Sequence, residues 1–370
     1  MFVRFNPAKL LKNGAARRLA VTAVLGFLAS SASATDMPWH LGSLGNGPAA
    51  PSAIQTAAIA PGPHPVVVAV IDSGIIPDHP SLGSQVLPGF DMLSGVRNLR
   101  GGRSSDATPD ARASRCGTAT FTNAQRTHGT EVASVIAGNG QDGVYGVNPQ
   151  ARILPVRTMG ACGMNRADLL DAIAWAAGLP VVGVPLNPNP ARVINLSLTG
   201  GGLSCDRELQ SLIDRVVAKR VFVVAAAGNN FQKPLSEPAN CRGVISVGAV
   251  DANNRIASYS ALDPRTTIYA PGGTETQMGH KAGNKLRVAT YDADAFGQER
   301  ANALDRGVGT SYAAPLVSGF ISLWLSHQPH KTPEDFTAEL HAFVRDVKAI
   351  PSCPQCQPKS LAANGRIFQN

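Results

Sequence analysis

Residues 66–75 read Val66-Val67-Val68-Ala69-Val70-Ile71-Asp72-Ser73-Gly74-Ile75, six apolar residues in a row that stop on a carboxylate, a hydroxyl and a glycine. Alternate side chains of a strand point to opposite faces, so a strand without polar alternation belongs to a sheet covered on both sides, which is the habit of parallel sheets. Asp72 then stands just past the carboxyl end of a buried strand, where open α/β sheets place their sites.

Outward from that segment the pattern repeats. Apolar runs at 151–156, 193–198, 221–227 and 244–250 alternate with helical spacing at 166–177 and 207–219, and further helical patterns run over 311–325 and 333–347. Strands alternating with helices imply right-handed βαβ crossovers. The fold class is therefore α/β, three-layered, with a mainly parallel central sheet and helices on both faces. Residues 92–127 carry polar stretches such as Arg-Gly-Gly-Arg without apolar periodicity and read as a long surface loop. Residues 180–190 (PVVGVPLNPNP) make a second, proline-locked excursion.

The chain has 370 residues and 44% hydrophobic content, enough for a substantial core. Its first 34 residues have the three parts of an export signal. Arg4, Lys9, Lys12, Arg17 and Arg18 form a basic stretch, 19–28 (LAVTAVLGFL) is apolar, and Ala32-Ser33-Ala34 supplies small residues for cleavage after Ala34. The apolar part is shorter than the roughly 20 residues a spanning helix needs, so no stable membrane span is expected after cleavage. That segment holds five basic residues and no acidic one, and without it the formal charge falls from +8 to +3. The remaining basic residues are dispersed, which excludes nucleic acid as the expected partner. The expected location is secreted, periplasmic or extracellular.

Domain boundaries follow: a signal segment over 1–34, a short N-terminal arm or minimal pro-segment over 35–62, the main domain over 63–347, and a C-terminal tail with a CxxC over 348–370. Six cysteines, Cys116, Cys162, Cys205, Cys241, Cys353 and Cys356, remain in the exported part. An even count in an oxidising compartment reads as disulfides. Zinc is the rival reading, but the CxxC of Cys353 and Cys356 lacks a second pair.

Acyl transfer to water needs an oxygen nucleophile, a base to take its proton, a group that orients the base, and donors for the tetrahedral oxyanion. The sequence offers a candidate for each. Asp72 ends a buried strand. His128 opens HGTEVASVIAG (128–138), whose small and apolar residues recur at helical spacing, so it is expected on the first turn of a packed helix. Ser311 lies in GTSYAAP (309–315) and opens a helix, whose N-terminus favours developing negative charge. Asn229 closes VVAAAGN (223–229), where a side-chain N–H completes an oxyanion hole. Singly, each has a bland reading: a turn residue, a satisfied core histidine, a common tripeptide. Their order and their placement at element ends make the set specific.

The segments VAVIDSGI (68–75), HGTEVASVIAG (128–138), VINLSLTGG (193–201), VVAAAGNN (223–230), VISVGAVD (244–251) and GTSYAAPLVSG (309–319) resemble the successive signatures of the subtilisin-like serine proteases, over about residues 65–347. The Asp, His, Ser chain order is that of subtilisin. The resemblance implies a subtilisin-like fold and a serine endopeptidase acting through an acyl-enzyme. It makes Ser311 the nucleophile, His128 the general base and acid, Asp72 the orienting carboxylate and Asn229 the oxyanion donor. It also makes Ser197, Leu198, Thr199 and Gly200 a substrate-pairing edge, with Ala226, Ala227 and Gly228 lining the opposite side of the specificity pocket. The implied partners are protein or peptide substrates bound in extended form, and a monomer is expected. Sequence adjacency, supported by resemblance to secreted bacterial members, pairs Cys116 with Cys162, Cys205 with Cys241 and Cys353 with Cys356, one of fifteen connectivities.

The chain departs from the family in several places. Residues 35–65 are too few for the folded propeptide that members often carry. His79-Pro80-Ser81-Leu82 stands where an acidic calcium ligand is common, while GNGQDG (138–143) either offers oxygens to a structural calcium or makes a glycine-rich turn. No cofactor is implied for the chemistry itself. Thr199 stands where glycine is common, and Ser236 precedes Glu237-Pro238 at the expected pocket floor, so an altered preference is expected. A catalytically silent binding protein, and an esterase or transpeptidase using the same acyl-enzyme, are the competing readings.

Overall fold

A computed structural model describes residues 38–42, 53–57, 59–110, 115–120, 122–231, 233–274, 284–293, 299–347, 353 and 355–362. The expected signal segment lies outside the described residues. Strand β1 (Val67–Asp72) is buried from Val68 onward. Val68 and Val70 enter one hydrophobic layer, Ala69 and Ile71 the other. That division is the physical reason for its unbroken apolar run.

After β1 come β2 (Phe90–Asp91), the antiparallel pair β3 (Arg115–Cys116) and β4 (Ala119–Thr120), helix α1 (Asn123–Ala137) and β5 (Arg152–Arg157). Helix α2 (Arg166–Ala176), β6 (Val193–Leu196), α3 (Arg207–Ala218), β7 (Phe222–Ala226), β8 (Val244–Val250) and β9 (Ile268–Pro271) continue the alternation. The antiparallel pair β10 (Leu286–Ala293) and β11 (Glu299–Gly307) leads into α4 (Thr310–His327) and α5 (Pro333–Glu339), and β12 (Val344–Asp346) and β13 (Lys359–Leu361) close the chain.

The main sheet has nine strands in the order β12-β13-β9-β8-β7-β6-β1-β5-β2, parallel except for β12 against β13. β1 pairs with β5 on one side and β6 on the other, so the chain reverses its direction of travel across the sheet there. Asp72 thus sits at a topological switch point, where a crevice opens outside the strand ends. Helices α1 and α4 cover one face, and α2 and α3 the other.

Three expectations change. Helix α1 starts at Asn123, capped by Thr122 in a reciprocal capping box with Gln125, so His128 lies in its second turn and not its first. The stretch 92–127 is not simply a surface loop. Arg157 is fully buried and ion-paired with Asp91 and Asp110, and Asp110 Oδ2 accepts from Ala161 N at 2.8 Å. This segment is anchored by polar groups, which leave no apolar period to read. The pattern over 333–347 makes a helix only to Glu339; Leu340–Phe343 is a 3-10 turn, and Val344 then pairs with Leu361 at the sheet edge.

The described part of the arm is packed, not solvated. Leu41 is 2% exposed and Ala53 and Ile54 are fully buried, with Leu41 and Ile54 in the layer beneath α4. Gly62 N donates to Ser326 Oγ at 2.8 Å, and His64 N to Ser326 O at 3.2 Å. Ile54→Ala should therefore cost about 2–5 kcal/mol, the range for truncating a fully buried isoleucine. The readout is a lower urea midpoint at unchanged m; a loss below about 0.5 kcal/mol, as for a surface change, would mark the arm as peripheral.

Candidate active site

Asp72 is fully buried and directs its carboxylate at the His128 ring, with both oxygens 2.9 Å from Nδ1. Ser73 N donates to Asp72 Oδ1 at 2.7 Å, and Thr158 N and Met159 N hold the Asp72 carbonyl at 2.8 and 3.2 Å. The approach of α1 to the end of β1 depends on Gly129, where a Cβ would lie 2.3 Å from Gly74 O. Burial disfavours a charged imidazole, but the Asp72 carboxylate bonded to it and the Glu131 carboxylate one turn along outweigh that, and the pKa of His128 is pushed up to about 9. Because Nδ1–H is held by Asp72, Nε2 is the nitrogen available to take a proton.

Ser311 is the second residue of α4, after the N-cap Gly309, whose φ of 142° suits glycine. Thr310 N and Thr310 Oγ1 both donate to Asn229 Oδ1 at 2.9 Å. That fixes the amide with its oxygen inward and leaves Nδ2 as the donor facing out. The N–H of Ser311 is one of the first-turn donors that have no intrahelical acceptor.

Pro315 sits inside α4 and has no N–H, so the carbonyl of Ser311 loses its partner four residues on. Ser197 Oγ replaces it, donating to Ser311 O at 2.7 Å, while Ser311 Oγ donates back to Ser197 O at 3.2 Å. This reciprocal pair clamps the end of β6 to the start of α4. The Ser311 hydroxyl is turned to Ser197 and forms no hydrogen bond with His128.

Residues 64–349 match the subtilase family. The chain belongs to that family. Among relatives, an extracellular protease of Xanthomonas campestris pv. campestris is 37% identical over 274 residues, 71% of this chain and 44% of its own length. An extracellular basic protease of Dichelobacter nodosus is 36% identical over 273 residues, 70% of this chain and 43% of its own length. The match thus spans less than half of these curated relatives. A solved protease structure from Pseudoalteromonas arctica is 32% identical, with a TM-score of 0.75 over 90% of this chain and 97% of that one.

In this subtilase a cleft of about 710 Å³ joins the parts: His128, Ser311, Asn229, Ser197, Leu198 and Thr199 all line it. Gly200, Ala226, Ala227 and Gly228 do not. Ala226 and Ala227 belong to the hydrophobic layers on either side of the sheet, and Gly228 N is bonded to Thr310 Oγ1 at 3.2 Å. The opposite wall is Met159 to Met164, with Cys116 bridged to Cys162 on it. Tyr312, also on the wall, had no role in the sequence reading; its signal was a bulky phenol directly after the serine. Cys205 is bonded to Cys241 and Cys353 to Cys356, so these thiols are not available to zinc.

The calcium reading of 138–143 does not fit the donors there. Asn139 Oδ1 accepts from Gln141 N, and the carbonyls of Gly138, Gly140 and Gln141 accept from Gly146, Gly143 and Val144. Asp142 is left as the one carboxylate, short of the six to eight oxygens calcium takes. Glu237, at the expected pocket floor, is committed to Arg166 at 2.8 Å and to Asp206 N at 2.7 Å.

A raised His128 pKa makes the protonated ring a stabilising feature of the fold. Its contribution is fully present below the unfolded value of 6.5 and is lost as pH rises through about 9. The unfolding free-energy difference between wild type and His128→Gln should therefore shrink across that window; a difference independent of pH would show that Asp72 does not hold the imidazolium.

Proposed function

We propose that this subtilase is an exported serine endopeptidase with Ser311 as nucleophile, His128 as general base and acid, Asp72 orienting it and Asn229 in the oxyanion hole. The observation that carries the reading is that the bonded Asp72–His128 pair opens onto the same cleft as Ser311 and Asn229. The relatives named as extracellular proteases and the three disulfides support the exported setting.

Rotation of the Ser311 hydroxyl from Ser197 O toward His128 Nε2 starts the reaction. Oγ attacks the substrate carbonyl carbon as its proton passes to Nε2, and the imidazolium is held by Asp72. The oxyanion lies between Ser311 N–H and Asn229 Nδ2. When the C–N bond breaks, His128 returns its proton to the leaving amine. Water, deprotonated by the same nitrogen, then attacks the acyl carbon, and the proton passes from His128 to Ser311 Oγ as the Oγ–acyl bond breaks and the acid leaves. Ser197, Leu198 and Thr199, beyond the end of β6, supply an edge along which an extended peptide pairs.

Ser311→Ala and His128→Ala should each remove nearly all turnover, since in subtilisin loss of either costs about 2 × 10⁶ in kcat. Normal peptide cleavage by purified Ser311→Ala protein would sink the assignment, and digestion followed by mass spectrometry separates an endopeptidase from an esterase. Asn229→Ala should lower kcat by about 10²-fold to 10³-fold, the cost known for subtilisin, and leave KM nearly unchanged. The base must be unprotonated, so kcat/KM should climb through an acid limb near pH 9, the value to which His128 is raised; a limb near 6.5 would show the imidazole to be unperturbed.

A further inference from the structure

Glu131 is 3% exposed and lies one turn after His128 on α1. Its carboxylate gathers three hydroxyls from three elements. Thr127 Oγ1, on α1, and Thr290 Oγ1, on β10 and 3.1 Å away, donate to Oε1; the Tyr312 hydroxyl, on α4, donates to Oε2. Among the described residues no lysine or arginine pairs with it. A buried carboxylate whose partners are all neutral keeps its field, and that field acts on the His128 imidazole one turn away on the same helix.

Tyr312 completes the geometry. It follows Ser311 directly, and its ring meets the His128 ring edge-on with centroids 5.9 Å apart. Burial, with Glu131 beside it, pushes its phenol pKa well up, so it stays a neutral donor. We propose that Glu131 is a positioning residue of this site, tying the helix of His128 to the residue after Ser311 and setting a second buried negative charge beside the imidazole to favour the imidazolium formed in acyl transfer. This rests on the reading of His128 and Ser311 as base and nucleophile.

The charged and titratable surroundings are few. Asp72 faces His128 from β1. Arg126, on α1, lies over the Tyr291 ring and donates to Asp110 O. His79 donates to Thr290 O at 2.8 Å, and its pKa is lowered by burial, so it stays neutral. Asp305, on β11, acts on Tyr312. Glu131 is accordingly the second source, after Asp72, of the field that raises His128.

The test is an NMR titration of His128 in the full chain carrying Ser311→Ala, which reads the imidazole whether or not the protein is a peptidase. Glu131→Gln keeps the shape and removes the charge. The His128 midpoint should fall by roughly one to two pH units, the effect of a unit charge about one helical turn away at an effective dielectric of about 20 to 40, and Glu131→Asp should restore most of it. An unchanged midpoint in Glu131→Gln overturns the proposal. If that variant does not fold, Asp72→Asn leaves Glu131 in place: a midpoint still at or above the ordinary 6.5 supports a second carboxylate, and one pulled below it by burial overturns it. In the chain with Ser311 intact, Glu131→Gln should move the acid limb of kcat/KM down by the same amount and lower kcat with KM held; a raised KM with the limb and kcat unmoved overturns the role. Absence of peptidase activity in the wild-type chain would sink the endopeptidase reading alone, with the titration still deciding on Glu131.

Discussion

Helix α4 is buried from Thr310 to Ser326 except at Ser311, and the rest of the molecule is arranged around that burial. A helix enclosed on all sides needs its polar groups answered within the protein, and among the described residues of α4 the Trp324 indole N–H is the one buried side-chain group without a hydrogen-bond partner. Ser318 Oγ donates to Asn195 Oδ1 at 2.8 Å, Ser322 Oγ accepts from Asn148 Nδ2 at 3.0 Å, and Ser326 Oγ accepts from Gly62 N at 2.8 Å. Sheet, connecting loop and arm are each tied to the helix by one small hydroxyl. The carbonyl that Pro315 leaves unpaired is answered by Ser197, which brings the end of β6 to the mouth of the helix.

The site is a consequence of that arrangement. The N-terminus of α4 is its one opening to the cleft, so unsatisfied first-turn N–H groups and the positive end of the helix dipole face the position where charge would develop. Asn229 spends its oxygen on Thr310 and so presents only its N–H₂. Beside it, the switch point between β5 and β6 leaves Asp72 buried and directed at His128. The candidate groups from β1, α1, α4 and the end of β7 meet because a parallel sheet delivers all its strand ends to one side.

The far wall of the cleft has a different support. Arg157, at the end of β5, holds Asp91 and Asp110 in the interior, and Asp110 in turn holds Ala161 N. The Cys116–Cys162 bridge adds a covalent tie between that wall and the β3–β4 pair. Removing one member of a buried ion-pair cluster leaves an uncompensated charge, so the placement of this wall depends on all three groups together.

The sheet and its covering helices were legible in the sequence because strands buried on both faces read as unbroken apolar runs, as Val67–Asp72 and Val244–Val250 show, and helices packed on one face carry a period of 3.6. The candidate residues Asp72, Asn229 and Ser311 were legible as well, because each lies at or beside an element end marked by glycine or by the end of an apolar run, while His128, inside α1, was legible from the small and apolar residues that follow it at helical spacing. The polar core around Arg157 was not, since residues buried by ion pairing carry no hydrophobic period. Nor was the early start of α1, which a capping box at Thr122 decides, or the packing of Leu41 and Ile54 beneath α4, which depends on contacts with residues hundreds of positions away. Sequence alone determined which chemical groups are present and on which elements they sit. Tertiary structure decided which of them meet: that Ser197 answers the carbonyl freed by Pro315, that Ala226 and Ala227 turn into the core and away from the cleft, and that Glu131 and Tyr312, 181 residues apart, share one hydrogen bond beside His128. Such pairings come from the superposition of layers, which no local pattern encodes.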